Sequence, residues 1–232
     1  MAGAPAYIPD MRKSPVRDNL EEYLRRFDPH RYSTTRALSL YSASIAVADQ
    51  PCLLTAQQVC CDHDASCEQL YEVMLQSYLF LGFPRMLVAA EQLAEAGLVP
   101  GPGNRSIRIS GDDVAAWLER GQALCRRVYD SNYETLKERV EKMAPEVFLW
   151  MELEGYGKVL SRPGLAIVDR EMAIVACLIV ENRPAQLHSH VRGALNVGAS
   201  RKLLLDVVSD LATVAEEGHA AACGVMEKLG ME

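Results

Sequence analysis

A glutamate and a histidine in the C-terminal half of the chain are spaced for acid–base chemistry. Glu171 lies on an apolar segment, 169–181, and His190 lies on the next segment, 184–196. If both segments are helices joined at 182–183, Glu171 lies about 11 residues before the turn and His190 about 7 after it, an axial offset of about 6 Å. Because a short connection makes the helices antiparallel neighbours, we expect the two side chains to meet.

The chemistry of such a pair has two interpretations. The carboxylate of Glu171 would favour the protonated imidazole and fix its tautomer, which would make His190 a general acid near neutral pH. The same spacing also fits a buried structural pair or two separately solvated residues. His188 and Arg192 each lie two residues from His190, so on a helix they point about 200° away from it. We expect His188 at a subunit contact or in solvent.

The cysteine-rich stretch CCDHDASC (60–67) has a spacing that could bind a metal. On one continuous helix, Cys60, His63, Asp64 and Cys67 would share a face, and all are possible zinc ligands. A redox role for the vicinal Cys60 and Cys61 is the other chemical interpretation. We expect a turn before Cys67 and ordinary free thiols, with no metal and no cofactor.

The elements that position these residues are predicted to be helices. Apolar residues three and four positions apart run through 112–143 and 201–217, which is the spacing of amphipathic helices. The segment 112–143 is predicted to be one long helix. The best strand candidate, IRIS at 107–110, is short. The Gly- and Pro-rich stretch 97–111 is predicted to connect two helical halves.

The two halves resemble each other at an offset of 134 residues. Over positions 36–73, seven residues are identical in both copies: Arg36 and Arg170, Ile45 and Ile179, Leu53 and Leu187, Ala65 and Ala199, Ser66 and Ser200, Leu70 and Leu204, Val73 and Val207. Chance would give about two or three. Glu171 and His190 correspond to Ala37 and Ala56, so the polar pair occurs in one copy. Arg170, which is present in both copies, is predicted to be structural.

The second copy resembles a known family. DRE followed by an apolar helix, a turn and HVRGALNVGAS (190–200) resembles the carboxymuconolactone decarboxylase family and its relative alkylhydroperoxidase D. The resemblance is strong over 117–216 and weaker over 20–96. It implies an all-α fold with two helical repeats, each centred on an antiparallel helix hairpin. The predicted organisation is a degenerate repeat at 1–96, a linker at 97–111 and the site-bearing repeat at 112–232.

The resemblance implies a cofactor-free lyase or isomerase that acts on a small carboxylate. His190 would protonate the dienolate left after loss of carbon dioxide, and Glu171 would orient it. Arg192 would contact the substrate carboxylate from a neighbouring subunit, or would be an ordinary surface residue. An alternative is a thiol peroxidase, but Arg183 and Gln186 occupy the positions of that relative's CxxC pair. A third interpretation is a binding or assembly protein without catalysis.

Composition limits the partners and the location. The chain has 24 Lys and Arg against 31 Asp and Glu, a net charge of −7, which argues against nucleic acid or an anionic membrane surface as the partner. The longest apolar run, 172–180, is too short to span a membrane, and no secretory signal is visible. Seven cysteines indicate a reducing, cytoplasmic location. The family's ring-shaped hexamers imply a homotrimer, or a multiple of it, for a two-copy chain.

Overall fold

The fold is entirely helical over the part of the chain described by the computed structural model, residues 15–28, 32–101 and 109–231. This confirms the all-α prediction. The helices are α1 (Pro15–Arg25), α2 (Thr34–Val47), α3 (Gln50–Asp62), α4 (Cys67–Glu95), α5 (Gly111–Tyr129), α6 (Tyr133–Met143), α7 (Pro145–Trp150), α8 (Ile167–Val180), α9 (Pro184–Asn196), α10 (Arg201–Asp210) and α11 (Glu216–Lys228). Between α7 and α8, Met151–Leu160 form a π-helical segment, here called π1.

The central hairpin has the predicted bounds to within two residues. Its first helix, α8, is apolar on all sides, and its residues 170–179 are all buried, as a helix without a polar face requires. Its second helix, α9, has Pro184 in its first turn, where the fixed φ of proline suits a helix start. The loop 181–183 joins them. The hairpin that was expected to bear Glu171 and His190 is therefore present.

Helix α2 packs against α8, so the two halves share one hydrophobic core. The helix bounds follow the offset seen in the sequence: α3 and α9 span 50–62 and 184–196, and α4 and α10 begin at 67 and 201. At the α2–α8 contact, Thr35 Oγ1 donates to Asp169 Oδ1 at 2.7 Å. That a duplication produced this arrangement, and that the domains divide at 96 and 112, remain predictions.

The segment 112–143 is two helices, and the expectation of one continuous helix was wrong. Helix α5 ends at Tyr129, a 3-10 turn covers Asp130–Asn132, and α6 begins at Tyr133. Asp130 has φ 47° and ψ −126°, which no α-helix accommodates. The chain therefore changes direction beside the N-terminal end of α6.

The linker and the strand candidate are only partly described. Residues 102–108 lie outside the described residues, and with them half of the candidate strand at 107–110. Ile109 and Ser110 are not in a strand; Ser110 caps α5, where its hydroxyl accepts from the Asp113 amide.

Two glycines allow π1 to lie directly on α5. A Cβ at Gly121 would lie 1.8 Å from the Glu152 carbonyl oxygen, and a Cβ at Gly157 would lie 2.0 Å from that of Trp117. Both distances are far below van der Waals contact, so only glycine fits at either position. This close approach fixes π1 against α5, and residues of π1 line the same cavity as His190 of α9.

Helix α4 is kinked at Gly82, which has φ 77°, and Pro84 follows two residues later. The kink combines a backbone conformation suited to glycine with a proline that cannot donate to the helix. Among the described residues, α4 is the one helix long and apolar enough to cross a membrane. Core helices of globular proteins satisfy the same criterion, and Glu72 of α4 is buried in an ion pair with Arg170.

Candidate active site

Glu171 and His190 are hydrogen-bonded across the hairpin. His190 Nδ1 lies 2.8 Å from Glu171 Oε2, and the two residues are 7% and 0% exposed. The predicted contact is confirmed. Because the carboxylate accepts from Nδ1–H, it leaves Nε2 as the ring nitrogen available to a ligand. Their first-half counterparts, Ala37 and Ala56, are fully buried in the hydrophobic core.

The approach of α9 to its neighbours depends on Gly193. A Cβ there would lie 2.7 Å from Val128 Cγ1 of α5 and 3.6 Å from Glu171 Oε2. One turn further on, Asn196 Nδ2 donates to the Val128 carbonyl at 2.8 Å. Helix α5 therefore fixes the position of α9, and with it the position of the imidazole.

Glu171 has one carboxylate oxygen in the hydrogen bond to His190 and a second that is buried without a partner among the described residues. A buried carboxylate is costly unless its charge is compensated. His190 is the partner that the described part of the chain provides. The two side chains are therefore energetically one unit.

His190 lines a cavity of about 250 Å³ that is mostly apolar. The other lining residues are Leu79, Phe80, Tyr129, Val147, Trp150, Met151, Glu154, Gly155, Tyr156 and Leu160. Phe80 packs edge-on to the imidazole, with ring centroids 5.2 Å apart. Five of these residues lie on π1. π-helical turns are rare in proteins, and those that occur are often found at functional sites.

Two tyrosines in the cavity are neutral near pH 7. Burial raises the pKa of Tyr129 to about 12, and the charge of Glu171 contributes in the same direction. Burial also raises the pKa of Tyr156 well above its ordinary value. The rings are 6.0 Å apart. Both hydroxyls therefore keep their protons near pH 7, and they interact with each other on the cavity wall that also contains His190.

The opposite face of α9 lines a different cavity. His188 and Arg192 lie there with residues of α5 and α6, which agrees with the predicted angular separation from His190. Arg192 is exposed and does not line the His190 cavity of its own chain. Its contact with a substrate bound in a neighbouring subunit remains a prediction.

The cysteines are not placed for peroxidase chemistry in this cavity, because none of its lining residues is a cysteine. The positions of the missing pair, Arg183 and Gln186, are exposed at the start of α9. Cys125 and Cys177 are buried, and burial raises the pKa of each thiol to about 12. A thiol with a raised pKa is a poor nucleophile.

The stretch 60–67 contains the predicted turn. Helix α3 ends at Asp62 and α4 begins at Cys67, so Cys67 does not continue the face of Cys60. His63 is buried, with Nδ1 2.7 Å from the Val59 carbonyl oxygen. Within the described ranges, no group of three His, Cys, Asp or Glu side chains is arranged to hold a metal ion.

Arg170 has structural contacts, as expected. It is fully buried and donates to Glu72 Oε2 at 2.9 Å, to Gln76 Oε1 at 3.3 Å and to the Arg162 carbonyl at 3.0 Å. Its counterpart Arg36 donates to Asp210 Oδ2 at 2.7 Å. These contacts join α8 to α4 and α2 to α10, and they do not involve the cavity.

The N-terminal half contributes a wall of the site that its sequence does not announce. The apolar run YLFLGFPRML (78–87) is typical of core or of an oligomer contact, whereas Leu79 and Phe80 of this run line the cavity. The signal was the Gly82 and Pro84 pair, which marks a bend in an apolar helix. Tyr129 and Trp150 gave no comparable signal, because only tertiary packing brings them to His190.

The fold and the site together define an all-α protein whose central helix hairpin presents a buried Glu–His pair to an apolar cavity. The model of the carboxymuconolactone decarboxylase family matches residues 145–228, from α7 to α11. This part of the chain therefore belongs to the carboxymuconolactone decarboxylase family. The chain is also 22% identical over 165 residues to peroxisomal protein 2 of Schizosaccharomyces pombe, covering 71% of this chain and 74% of that protein.

Proposed function

We propose that this protein is a cofactor-free lyase or isomerase that acts on a small carboxylated, lactone-type metabolite. The observation that carries the proposal is the 2.8 Å hydrogen bond between Glu171 and His190, with the imidazole on the wall of an apolar cavity. General acid catalysis requires a titratable group within reach of the substrate and held in one tautomer.

The proposed reaction consumes one proton for each carbon dioxide released. The carbon–carbon bond to the leaving carboxylate breaks, and its electron pair stays on the substrate as a dienolate. The His190 imidazolium then transfers its Nε2 proton to carbon, and the neutral ring recovers a proton from solvent. Glu171 stabilises the imidazolium through Nδ1–H. The apolar walls disfavour the charged leaving carboxylate and so favour its departure as neutral carbon dioxide.

The substrate carboxylate needs a cation that the lining of the cavity lacks, since none of the residues around His190 is an Arg or a Lys. We propose that Arg192 of a neighbouring subunit supplies it, in a homotrimer or a multiple of one. Trp150, which lines the cavity, and Phe83 and Leu87 of α4 are each 58% exposed. Exposed apolar groups of this size commonly mark an interface.

We also propose that the chain is a tandem duplication with one active copy. The matching helix bounds and the 134-residue offset support this proposal. The seven cysteines, all of them free thiols, support a reducing, cytoplasmic location. The net charge of −7 supports a partner that is neither nucleic acid nor an anionic membrane surface.

The test is a pair of assays on the purified chain. Decay of a carboxymuconolactone is followed by ultraviolet absorbance, and reduction of an organic hydroperoxide by thiol consumption. We expect lactone decay that falls about 10²–10⁴-fold in His190→Asn and in Glu171→Gln. His219→Asn on α11 is the matched control and should retain full activity. Hydroperoxide reduction without lactone decay would contradict the proposal and favour the peroxidase alternative.

A further inference from the structure

A second cavity, on the face of α9 opposite His190, has the chemistry of an anion site. It has a volume of about 160 Å³ and lies between α9, α6 and the end of α5. Its lining residues are Val128, Tyr129, Asn132, Thr135, Leu136, Arg139, His188, Ser189 and Arg192. The volume is below the range of pockets that enclose drug-sized ligands. It therefore suits one small chemical group.

The charges around this cavity have one sign. Arg139 and Arg192 line it together with His188, and no Asp or Glu is among the lining residues. His188 and Arg192 are four residues apart on α9, as are Thr135 and Arg139 on α6, so each helix presents two polar groups from one face. Two guanidinium groups from different helices can bind one oxyanion from two sides.

Arg139 and Arg192 form no hydrogen bond or ion pair with any residue that the structure describes. Arginines that line another cavity of this chain each have a partner in the chain: Arg162 pairs with Glu72 at 2.8 Å, Arg120 donates to Ser161 Oγ at 3.3 Å and Arg127 donates to the Val197 carbonyl at 3.3 Å. The contrast shows that the donors of Arg139 and Arg192 are available to an external acceptor.

Neutral donors complete the lining. Thr135, Ser189 and Asn132 carry hydroxyl or amide groups in the same cavity, and these bind oxyanions without adding charge. Tyr129 lines this cavity and the His190 cavity as well. A ligand in the second cavity would therefore contact a side chain that also borders the candidate active site.

We propose that the second cavity binds a small oxyanion, either a carboxylate or a phosphate group, between Arg139 and Arg192. The inference follows from the lining of this cavity and not from the proposed reaction. Because the proposed reaction also uses Arg192, from a neighbouring subunit, Arg139 is the residue that distinguishes the two sites. If the anion is the carboxylate of a metabolite, inorganic phosphate will not displace it. If it is a phosphate group, acetate and succinate will not saturate the site.

The test is isothermal titration calorimetry of the full chain with inorganic phosphate, acetate and succinate, each at one constant ionic strength, because exposed charges are screened by salt. We expect saturable binding of at least one of these anions. Arg139→Gln and Arg192→Gln should each weaken it about tenfold or more, the usual cost of losing a charge-assisted hydrogen bond. Both residues are exposed, so the variants should fold.

Arg120→Gln is the matched control, because Arg120 lines the other arginine-rich cavity. Its affinity for the anion should equal that of the unmodified chain. The proposal is wrong if the unmodified chain binds none of the three anions, or if Arg120→Gln weakens binding as much as Arg192→Gln does. The proposal is also wrong if Arg192→Gln weakens binding and Arg139→Gln does not, because the anion would then bind beside His190 of a neighbouring subunit. Lactone decay, measured separately, tests the proposed reaction.

Discussion

The ring of Phe80, on α4, packs edge-on to the imidazole of His190, on α9, with centroids 5.2 Å apart. The two residues come from opposite halves of the chain, so the segment that belongs to the carboxymuconolactone decarboxylase family does not build its cavity alone. The kink of α4 at Gly82 lies two residues after Phe80. The N-terminal half thus contributes a wall to the site although its own Glu and His positions are alanines.

Replacing Phe80 by Ala should therefore impair the activity of the C-terminal pair. Loss of the ring frees the imidazole to move and enlarges the cavity, and misplacement of a catalytic group is costly. We expect kcat/KM for lactone decay to fall about tenfold to a hundredfold. Glu91→Ala is the control, because Glu91 lies on the same helix, is exposed and does not line the cavity. Equal losses in both variants would contradict a positioning role for Phe80.

The coupling of Glu171 and His190 predicts strongly non-additive effects on stability. His190→Ala leaves a buried carboxylate without its partner and should lower the free energy of unfolding by about 3–5 kcal/mol. The double variant Glu171→Gln/His190→Ala should lose less than the sum of the single losses, because no buried charge remains. Urea unfolding of all four proteins gives the coupling energy. Additive losses would show that the two groups are not one unit.

Two glycines provide a matched test of helix packing at the site. Gly193→Ala places a Cβ 2.7 Å from Val128 Cγ1, so we expect a loss of about 1–3 kcal/mol from overpacking. Gly224→Ala, inside α11, has no atom within 4 Å of the added Cβ. It should stabilise the protein by up to about 1 kcal/mol through helix propensity. Thermal unfolding measures both; a stable Gly193→Ala would indicate that α9 can shift away from α5.

The cysteines should divide into two classes in a native thiol titration. Cys61, Cys67 and Cys223 are exposed, whereas Cys52, Cys60, Cys125 and Cys177 are buried. Burial raises the pKa of Cys52, Cys125 and Cys177 to about 12, so their thiolate fraction near pH 8 is negligible. We expect three thiols to react rapidly with Ellman's reagent, and all seven only after denaturation. Rapid reaction of Cys177 would show that the core opens.

Light scattering on the purified protein tests the proposed assembly. A homotrimer of a 25.6 kDa chain would have a mass of about 77 kDa. In a closed ring of identical chains, the surface of a neighbouring subunit can cover a small cavity. Trp150→Ser, on the exposed apolar surface near the cavity, should shift the mass toward the monomer. A monomeric unmodified protein would remove the basis for placing Arg192 across a subunit boundary.

The sequence by itself determined the central hairpin and the contact it makes. A short connection between two apolar helices leaves little freedom in their register, so the axial positions of Glu171 and His190 follow from counting residues. The turn between Asp62 and Cys67 could also be predicted from the sequence, because helix ends are encoded by nearby residues such as the Ser66 cap.

Only the tertiary structure decided what surrounds the pair. The break at Asp130 divides a segment whose apolar periodicity continues without interruption, because periodicity does not report a single residue's φ and ψ. Phe80, Tyr129 and Trp150 line the His190 cavity from three separate helices, and their distances in sequence carry no information about that arrangement. The two cavities on opposite sides of α9 are likewise products of packing, since the shape of a cavity depends on every helix that borders it.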